Sequence, residues 1–490
     1  MPHTAQKLRS SDDQARTIPA SRAAVGRVPH SFALRRTLLA LLILTGCASL
    51  PRLEDYAPGP AETVPPMLGC NGPLSPVRSN TLAEGLRGQG EPTAFLQRYT
   101  NLMGAISGSP FVAGNRVILL TEGSATMEAM VGAIRRATDH VHIETFSVDD
   151  DDRGRRIAEV LLQKQAEGVQ VKFLYDSVGS FPAPSAFFQR LRDGGIQVRE
   201  FNPFNPLNAR GNEWRVSHRD HRRILVVDGR VAFTGSSNLS NLYTSSPSGT
   251  RPRAQSGEDL QDAWRDTDVQ IEGPAVAELQ RLFLETWAQA NGPESATKDF
   301  PPLQHEGDDV MQVLGSTPGE NNRLTYLMYL AAFSFAEKAI HLTTPYLVPD
   351  GQTLKALADA AERGVDVKII LPGRSDSDVV FHAGRAHYTT LLESGVTLYE
   401  RGTESIMHAK TAVIDGFWST VGTTNLDFWS FLHNDEINVV ILGCDFATRV
   451  EAMFEADLRE SHQIRLEEWK HRPFADRVKE WFARLFARWL

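Results

Sequence analysis

The sequence predicts an α/β protein built from two copies of one domain. Segments typical of strands alternate with helical segments from about residue 116 onward, which indicates a sheet covered by helices. One motif also recurs at a fixed distance, because His221 and His408 lie 187 residues apart and so do Asp228 and Asp415. Self-similarity on this scale indicates a duplicated domain.

The expected elements follow the same order in both halves. The first half reads VILLTEG, ATMEAMVGAIRRATDH, VHIETFS, RRIAEVLLQKQAEG, VQVKFLYD, SAFFQRLRDGG and IQVREFN. The second reads RLTYLMYLAAFSFAEKA, IHLTTPYL, QTLKALADAAERG, VDVKIILPG, YTTLLESG and VTLYERG. Strands that alternate with helices favour a mainly parallel sheet covered on both faces. A last strand follows each motif, and WRDTDVQIEG aligns with NDEINVVILG, whereas residues 240–257 are an insertion expected to form a mobile loop near the site.

The N-terminus carries a targeting signal. Arg35 and Arg36 precede LLALLILTG, an apolar run that ends at Cys47 and is too short to span a bilayer core of about 30 Å. A basic flank and a short apolar run are typical of a secretory signal over residues 1–46. Residues 47–100 are rich in Pro, Gly and small polar residues, which predicts a tether.

Composition limits the partners and the use of cysteine. A net charge of −9 over 490 residues argues against a nucleic-acid-binding protein, which usually carries a basic excess. Three cysteines are present. If Cys47 is modified, Cys70 and Cys444 remain, and either a disulfide or two separate thiols would fit an oxidising compartment.

The repeated motif assembles residues suited to phosphate chemistry. A neutral imidazole is nucleophilic near neutral pH, and a cation two residues later on a strand points to the same face, where it can neutralise phosphate oxygens. The candidate catalytic set is His221, Arg223, Asp228, His408, Lys410 and Asp415. The candidates for phosphate contact and support are Ser237, Asn238, Thr424, Asn425, Asp266 and Glu436.

Within this set the carboxylates have different expected tasks. Asp266 and Glu436 are candidates to accept the second ring N–H of a histidine and so to select its tautomer. Asp228 and Asp415 each precede Gly, and we expect them to organise a strand end or turn rather than to transfer protons. His218 is expected at most at the rim of the site.

Neither a metal nor another cofactor is expected. The acidic run at residues 149–152 is interpreted as a solvated loop that caps the helix beginning near Arg153. His142 and His341 fall in predicted strands, where packing in the core is the expectation. No spacing typical of a zinc or two-metal site occurs.

These motifs resemble those of the phospholipase D superfamily. His408-Ala-Lys410-x₄-Asp415 matches its H-x-K-x₄-D motif and Gly422-Thr-Thr-Asn425 its G-x-x-N motif, whereas the first copy has Arg223 in place of Lys. Segments such as WRDTDVQIEGPAV and TTPYLVPD are most similar to bacterial cardiolipin synthases. The resemblance implies two phospholipase D-like α-β-α domains, at 101–300 and 301–465, in a pseudo-symmetric bilobal unit with the active site between them.

The resemblance also implies a reaction. One histidine, by family precedent His221, would attack phosphorus to form a phosphohistidine while His408 serves as acid and base, without a metal. The expected substrates are phosphatidylglycerol and a second phospholipid, either phosphatidylglycerol or phosphatidylethanolamine, at a membrane. Hydrolysis to phosphatidic acid, a nuclease activity and a non-catalytic lipid-binding lipoprotein are the alternatives, in that order.

Both ends of the chain favour a membrane location. Leu44-Thr-Gly-Cys47 resembles a bacterial lipobox, which implies lipidation of Cys47 and a periplasm-facing envelope protein; Ala48 favours the outer membrane, and a plain signal peptide is the alternative. Such synthases often carry two membrane-spanning helices, which the lipobox would replace here. Residues 466–490 form a predicted amphipathic helix that either lies in the membrane interface or docks on the domain. Its apolar face comprises Phe474, Val478, Trp481, Phe482, Leu485, Phe486 and Trp489.

Overall fold

The computed structural model describes most of the chain beyond the signal segment. The described residues are 50–56, 65–88, 93–203, 215, 217–241, 264–294, 299–319, 323–402 and 405–489. Cys47, the predicted signal segment and most of the 240–257 insertion lie outside these ranges.

Two strands and two helices precede the duplicated part. They are β1 (Leu68–Gly69), β2 (Gly72–Pro73), α1 (Pro76–Gly88) and α2 (Thr93–Ile106), preceded by a 3₁₀ helix at Leu53–Tyr56. Helix α2 buries apolar side chains at helical spacing, namely Phe95, Leu96, Tyr99, Leu102 and Met103. They belong to the same core cluster as residues 324–342 of the second half. The tether prediction is therefore wrong for the described part of residues 65–100.

The two halves contain matching elements. The first comprises β3 (Val112–Leu120), α3 (Gly123–Arg136), β4 (His140–Thr145), α4 (Asp152–Ala166), β5 (Gln170–Asp176), α5 (Ser185–Asp193), β6 (Gln197–Phe201), β7 (Arg219–Asp220), β8 (Ile224–Val227), β9 (Val231–Gly235), β10 (Trp264–Arg265), β11 (Asp268–Glu272) and α6 (Val276–Gln289). The second comprises β12 (Asp309–Ser316), α7 (Leu324–Phe335), β13 (Ala339–Thr343), α8 (Gly351–Glu362), β14 (Asp366–Pro372), α9 (Asp378–Arg385), α10 (Tyr388–Glu393), β15 (Thr397–Arg401), β16 (Ile406–Met407), β17 (Thr411–Ile414), β18 (Trp418–Gly422), α11 (Phe428–Leu432), β19 (Asn434–Leu442) and α12 (Cys444–Arg459).

The chain ends with a short strand and two helices. They are β20 (Ser461–Ile464), α13 (Leu466–Lys470) and α14 (Phe474–Arg484), followed by a 3₁₀ helix at Ala487–Trp489. Strand β20 pairs antiparallel with β15 at the edge of the second half. The predicted C-terminal amphipathic helix therefore begins at Phe474, later than the expected boundary at residue 466.

The strands pair in the same order in both halves. In the first the order is β6–β5–β4–β8–β9–β11–β3. In the second it is β15–β14–β13–β17–β18–β19–β12. Strands β3 and β12 also pair with each other, so the two sheets are continuous. The predicted duplicated α/β architecture is confirmed.

The prediction of a mainly parallel sheet is wrong for the strands that carry the motifs. Among the described strands of each half, β4, β5 and β6, with their counterparts β13, β14 and β15, pair in parallel with one another, and the other pairings between strands of the same half are antiparallel. Strands β8 and β9 are joined by a tight turn in which Asp228 and Gly229 both have positive φ, at 53° and 61°. A turn of this type, closed by the hydrogen bond that the Arg230 N–H donates to the Val227 carbonyl, makes a hairpin, which requires antiparallel strands.

Three further predictions concern local features. Asp151 caps α4, since its side chain accepts hydrogen bonds from the N–H groups of Arg153 and Gly154, as expected for the acidic run. Cys70 and Cys444 are not joined by a disulfide. Among the helices of the described ranges, none has the length and apolar character needed to cross a bilayer.

Candidate active site

Short parallel strand pairs between the halves hold both motif histidines. Strand β7 pairs with the start of β19, and β10 pairs with β16. The N–H of His221 then donates to the carbonyl of Asp435 at 2.9 Å, and the N–H of His408 donates to the carbonyl of Arg265 at 2.9 Å. Each histidine backbone is therefore fixed by the opposite half of the chain.

The carboxylate partner of each histidine also comes from the opposite half. His221 Nδ1 lies 2.9 Å from Glu436 Oε1, and His408 Nδ1 lies 2.8 Å from Asp266 Oδ1. All four side chains are buried. The exchange follows from the strand pairing, because β7 and β16 deliver the histidines beside the start of the other half's last strand. The sequence had paired these carboxylates with histidines without indicating which one each would contact.

The cation of each motif contacts its own histidine. Arg223 Nη2 lies 3.2 Å from His221 Nε2, and Lys410 Nζ lies 2.8 Å from His408 Nε2. These contacts follow from the alternation of side chains along an extended segment, which puts residues i and i+2 on the same face. A guanidinium has donors only, so the bond from Arg223 requires that His221 Nε2 accepts. The proton of His221 then resides on Nδ1, facing Glu436.

Burial and cations keep both imidazoles neutral. Burial, followed by the charges of Arg223 and Lys410, lowers the pKa of His221 well below its ordinary value. Burial and the charge of Lys410 lower the pKa of His408 to about 4. Burial and the charge of Arg223 also lower the pKa of Lys410. Since the cation of each half acts on groups of the other, the two motifs form one site.

The two orienting carboxylates differ electrostatically. Burial would raise the pKa of Asp266, but the interactions with His408 and the charge of Lys410 outweigh it and lower this pKa to about 2. Burial raises the pKa of Glu436, and hydrogen bonds from Thr423 and Asn434 oppose the rise. Glu436 is thus a weaker acid than Asp266. The two halves therefore differ in their orienting carboxylates as well as in their motif cations, Arg223 and Lys410.

The neutral groups after each motif are arranged differently in the two halves. The hydroxyl of Ser237 donates to Asp268 Oδ2 at 2.5 Å, and Asn238 Oδ1 accepts from Arg223 Nε at 3.0 Å. In the second half, Thr424 Oγ1 and Asn425 Oδ1 are buried without a hydrogen-bond partner in the part of the chain that the structure describes. The second copy therefore has polar capacity left for a ligand.

The motif aspartates are not part of this cluster. Asp228 accepts hydrogen bonds from the N–H groups of Thr138, Asp139 and His140, all between 2.8 and 3.0 Å. Asp415 likewise accepts from the N–H groups of residues 337–339. Both sit at the far end of the strand that begins after the histidine. Their place in the candidate catalytic set was wrong, whereas the expectation that they organise a turn is correct.

Two aromatic side chains beside the histidines were missed. The Phe146 ring lies 4.9 Å from the His221 ring at an interplanar angle of 77°, and the Trp264 ring lies 4.5 Å from the His408 ring. Phe146 follows β4, and Trp264 opens β10. Sequence offers no signal for Phe146, but Trp264 could have been identified as the neighbour of Asp266 in the last-strand alignment. His218, expected at the rim, is half-buried with Nε2 2.9 Å from Asp435 Oδ2.

One buried cluster outside the site has the composition of metal ligands. Atoms of His140, His142 and Asp299 lie within 4.8 Å of one another. Lys172 Nζ is 3.4 Å from Asp299 Oδ2, so an ammonium ion already neutralises the carboxylate there. A further cation beside this ammonium would be repelled, and the cluster is best described as an ion pair within the core.

Comparison with known proteins identifies the family. Residues 130–247 and 329–458 match the family described as "Cardiolipin synthase, PLD-like domain". The chain belongs to this phospholipase D-like family. A cardiolipin synthase of Halalkalibacterium halodurans is 34% identical over 386 residues, which cover 78% of this chain and 74% of the relative. Cardiolipin synthase A of Pseudomonas fluorescens is 37% identical over 364 residues, covering 73% and 72%.

A solved structure shares the fold of this chain. A phosphatidylserine synthase from Haemophilus influenzae superposes with a TM-score of 0.56 at 15% identity, covering 78% of this chain and 96% of the other. At this identity the similarity concerns the fold. Each of the two family segments includes one copy of the motif, and the second also includes Glu436, whereas Asp266 lies between the segments.

Proposed function

We propose that this chain is a phosphatidyltransferase of the cardiolipin synthase type. It would join phosphatidylglycerol to a second phospholipid, either phosphatidylglycerol or phosphatidylethanolamine, and release the small alcohol. The observation that carries the proposal is the crossed pair His221–Glu436 and His408–Asp266, each with a cation at Nε2. Sequence similarity to relatives named cardiolipin synthase supports the lipid substrate.

The first step is attack by His221 on phosphorus. Its Nε2 lone pair forms the P–N bond while the bond from phosphorus to the glycerol oxygen breaks, and His408 Nε2 passes to that oxygen a proton that it takes from Lys410. Arg223 and Lys410 neutralise the charge that develops on the non-bridging oxygens. Splitting one displacement into two through a covalent intermediate lowers the barrier of each.

The second step uses the same groups, and His408 now acts as a base instead of an acid. His408 removes the proton from the incoming hydroxyl, whose oxygen attacks phosphorus as the P–N bond to His221 breaks. With a second phosphatidylglycerol the products over both steps are cardiolipin and glycerol, and with water the product would be phosphatidic acid. No metal is needed for either step, since the cations and the imidazole supply charge and proton transfer.

The difference between Arg223 and Lys410 supports His221 as the nucleophile. The Arg guanidinium stays protonated, so His221 Nε2 remains an acceptor and keeps its lone pair. Lys410 has a lowered pKa and can give up a proton, so His408 Nε2 can change between acceptor and donor. A nucleophile requires the first behaviour and an acid–base group requires the second.

The deciding experiment uses purified protein and vesicles of labelled phosphatidylglycerol, with and without phosphatidylethanolamine. Cardiolipin with released glycerol is the expected product, and His221→Ala and His408→Ala serve as inactive controls. Phosphatidic acid as the sole product would instead establish a hydrolase. Plasmid cleavage that requires both histidines would establish the nuclease alternative.

The nucleophile is identified by trapping the intermediate. In His408→Asn the second step lacks its base, so labelled phosphatidyl groups should accumulate on the protein through an acid-labile bond. In His221→Asn no label should accumulate. Label on the His221→Asn protein would reverse the two roles.

We further propose that the enzyme is a lipoprotein of the bacterial cell envelope, anchored at Cys47 and facing the periplasm, with the outer membrane favoured. The supporting observation is the sequence Leu-Thr-Gly-Cys after a short apolar run. Metabolic labelling with a fatty acid should mark the natural chain and not Cys47→Ala. Equal labelling of both would refute the anchor.

A further inference from the structure

Helix α14 presents its apolar face to solvent. Phe474 is 77% exposed, Trp481 64% and Phe482 56%, and Val478, Leu485 and Phe486 are also exposed. These six account for most of the large apolar side chains that are exposed in the described residues. A contiguous apolar patch of this kind on a folded protein marks an interaction surface.

The opposite face of the same helix is docked on the second half. Glu480 is 2% exposed and forms an ion pair with Arg472 at 2.7 Å. Ala483 packs with Ala383 of α9 and with Val348. The two alternatives for this helix are therefore compatible, because its polar and small face binds the domain while its aromatic face is exposed. The side chain of Trp489, predicted on the same face, lies outside the described residues.

This helix is adjacent to the loops that form the site. The 3₁₀ helix at Ala487–Trp489 packs against α11, which begins three residues after Asn425. Helix α9, on which α14 lies, follows the loop of Asp376, and the charge of Asp376 acts on Lys410. Helix α14 is thus held beside the loops that border the second histidine.

The first half also exposes apolar side chains near the site. The loop after β5, which corresponds to the loop after β14, exposes Val178 and Phe181, the latter by 78%. This loop packs against Phe146, since Ser180 Oγ donates to the Phe146 carbonyl at 3.1 Å. Phe146 in turn contacts His221. The first half therefore exposes apolar groups on a loop that borders the site, and the second half exposes them on α14 and the residues that follow it.

The charge of the C-terminal segment is opposite to that of the whole chain. Residues 471–490 contain five basic and two acidic residues, whereas the chain has a net charge of −9. One acidic residue, Glu480, is buried and paired. The exposed basic side chains are Arg477, Lys479, Arg484 and Arg488. Basic groups around an exposed aromatic face fit an anionic lipid surface.

We propose that α14, together with the loop of Val178 and Phe181, is a bilayer-docking surface that seats the mouth of the active site on an anionic phospholipid membrane. The aromatic side chains would enter the headgroup region while the arginines and Lys479 contact lipid phosphates. The lipid anchor restrains the chain near the membrane, and this surface orients it. The inference rests on the proposed function for the identity of the lipid only.

The test compares vesicle binding of two double variants. Both are made in the full-length Cys47→Ala chain, so that no acyl chain contributes. Trp481→Ser/Phe482→Ser removes the centre of the surface, and Val77→Ser/Phe300→Ser removes two exposed apolar residues elsewhere. Binding is measured by flotation with phosphatidylcholine vesicles that contain or lack phosphatidylglycerol.

The first double variant should lose about tenfold or more of its binding to phosphatidylglycerol vesicles, and the second should bind like the parent chain. Activity on short-chain phosphatidylglycerol below its micelle concentration should stay within about twofold in both. Equal vesicle binding of all three proteins would overturn the proposal. A change of oligomeric state in the first variant with unchanged vesicle binding would overturn it in favour of a second copy of the chain.

A failure of the proposed reaction can be distinguished from a failure of the docking surface. His221→Ala in the same background should bind vesicles like its parent, because docking needs no chemistry. If the parent makes no product from short-chain lipid but its binding still depends on Trp481 and Phe482, the docking surface stands and the proposed reaction fails. Loss of short-chain activity in Trp481→Ser/Phe482→Ser without loss of vesicle binding would contradict the docking proposal.

Discussion

Each histidine side chain contacts two charged groups, and only one of them comes from its own motif. A carboxylate from the other half binds Nδ1, and the motif cation binds Nε2. The motif aspartate, which the sequence places in the same pattern, instead binds backbone N–H groups at the far strand end. The carboxylates that contact the histidines are thus separated in the fold from those that bind the backbone of the turns.

This separation predicts different effects of two substitutions. Asp266→Asn should reduce kcat by about 10²- to 10⁴-fold with little change in stability, because the amide no longer holds the reactive tautomer of His408. Asp228→Ala should leave kcat of the folded protein within about threefold and lower the free energy of unfolding by about 1–3 kcal/mol, since several N–H groups lose their acceptor. Initial rates and denaturant titrations on both variants measure these effects. An unchanged rate in Asp266→Asn would contradict the orienting role.

The depressed pKa of His408 predicts acid sensitivity. Its pKa is about 4 in the folded protein against 6.5 ordinarily, so the unfolded chain binds the proton first as the pH falls. The contribution of His408 to stability is complete above about pH 6.5 and is lost between there and about pH 4, at most about 3 kcal/mol. His221 acts in the same direction. Denaturant midpoints should therefore fall less steeply with acid in His408→Asn, and parallel curves would contradict the depressed pKa.

Among the elements, α2 shows why the tether prediction failed. Helix α7 is apolar on all sides, and residues 324–333 are buried. A helix of this kind has to be covered by other elements. Helix α2 supplies a cover for it, with Phe95 and Tyr99 stacked at 5.8 Å. The apolar residues of α2 do recur at helical spacing, but the Pro- and Gly-rich composition of the residues before it led to the tether prediction.

This packing makes α2 part of the folded enzyme. Phe95→Ala should lower the free energy of unfolding by about 3–5 kcal/mol, because a fully buried ring is replaced by a cavity. Arg98→Ala, on the exposed face of the same helix, should change it by under about 0.5 kcal/mol. Urea titrations with a common slope compare the two. Equal small effects would restore the tether interpretation.

At the scale of the whole molecule, the exchange of partners makes the two halves interdependent. Neither half contains a histidine together with its carboxylate, and strand pairs β7–β19 and β10–β16 place the halves in register. The site is therefore a property of one complete chain. This differs from a tandem array, in which each copy would carry its own centre.

The interdependence predicts that inactive variants do not rescue each other. Full-length His221→Ala and His408→Ala proteins, mixed or co-expressed, should show no more activity than either alone. Both crossed pairs form within one chain, so each chain retains only one intact pair. Cardiolipin formation from phosphatidylglycerol vesicles is the measurement. Recovery toward wild-type rates would show that halves exchange between chains.

The sequence by itself determined the duplication, the two histidines with their cations, and the two carboxylates that would orient them. These depend on local spacing and on repetition, and both can be read along the chain. Only the tertiary structure decided which carboxylate serves which histidine, that the motif aspartates are structural, and that α14 is docked and exposed at once. Those outcomes depend on strand pairs more than a hundred residues apart in sequence and on which helix face finds a partner, and no local pattern specifies either.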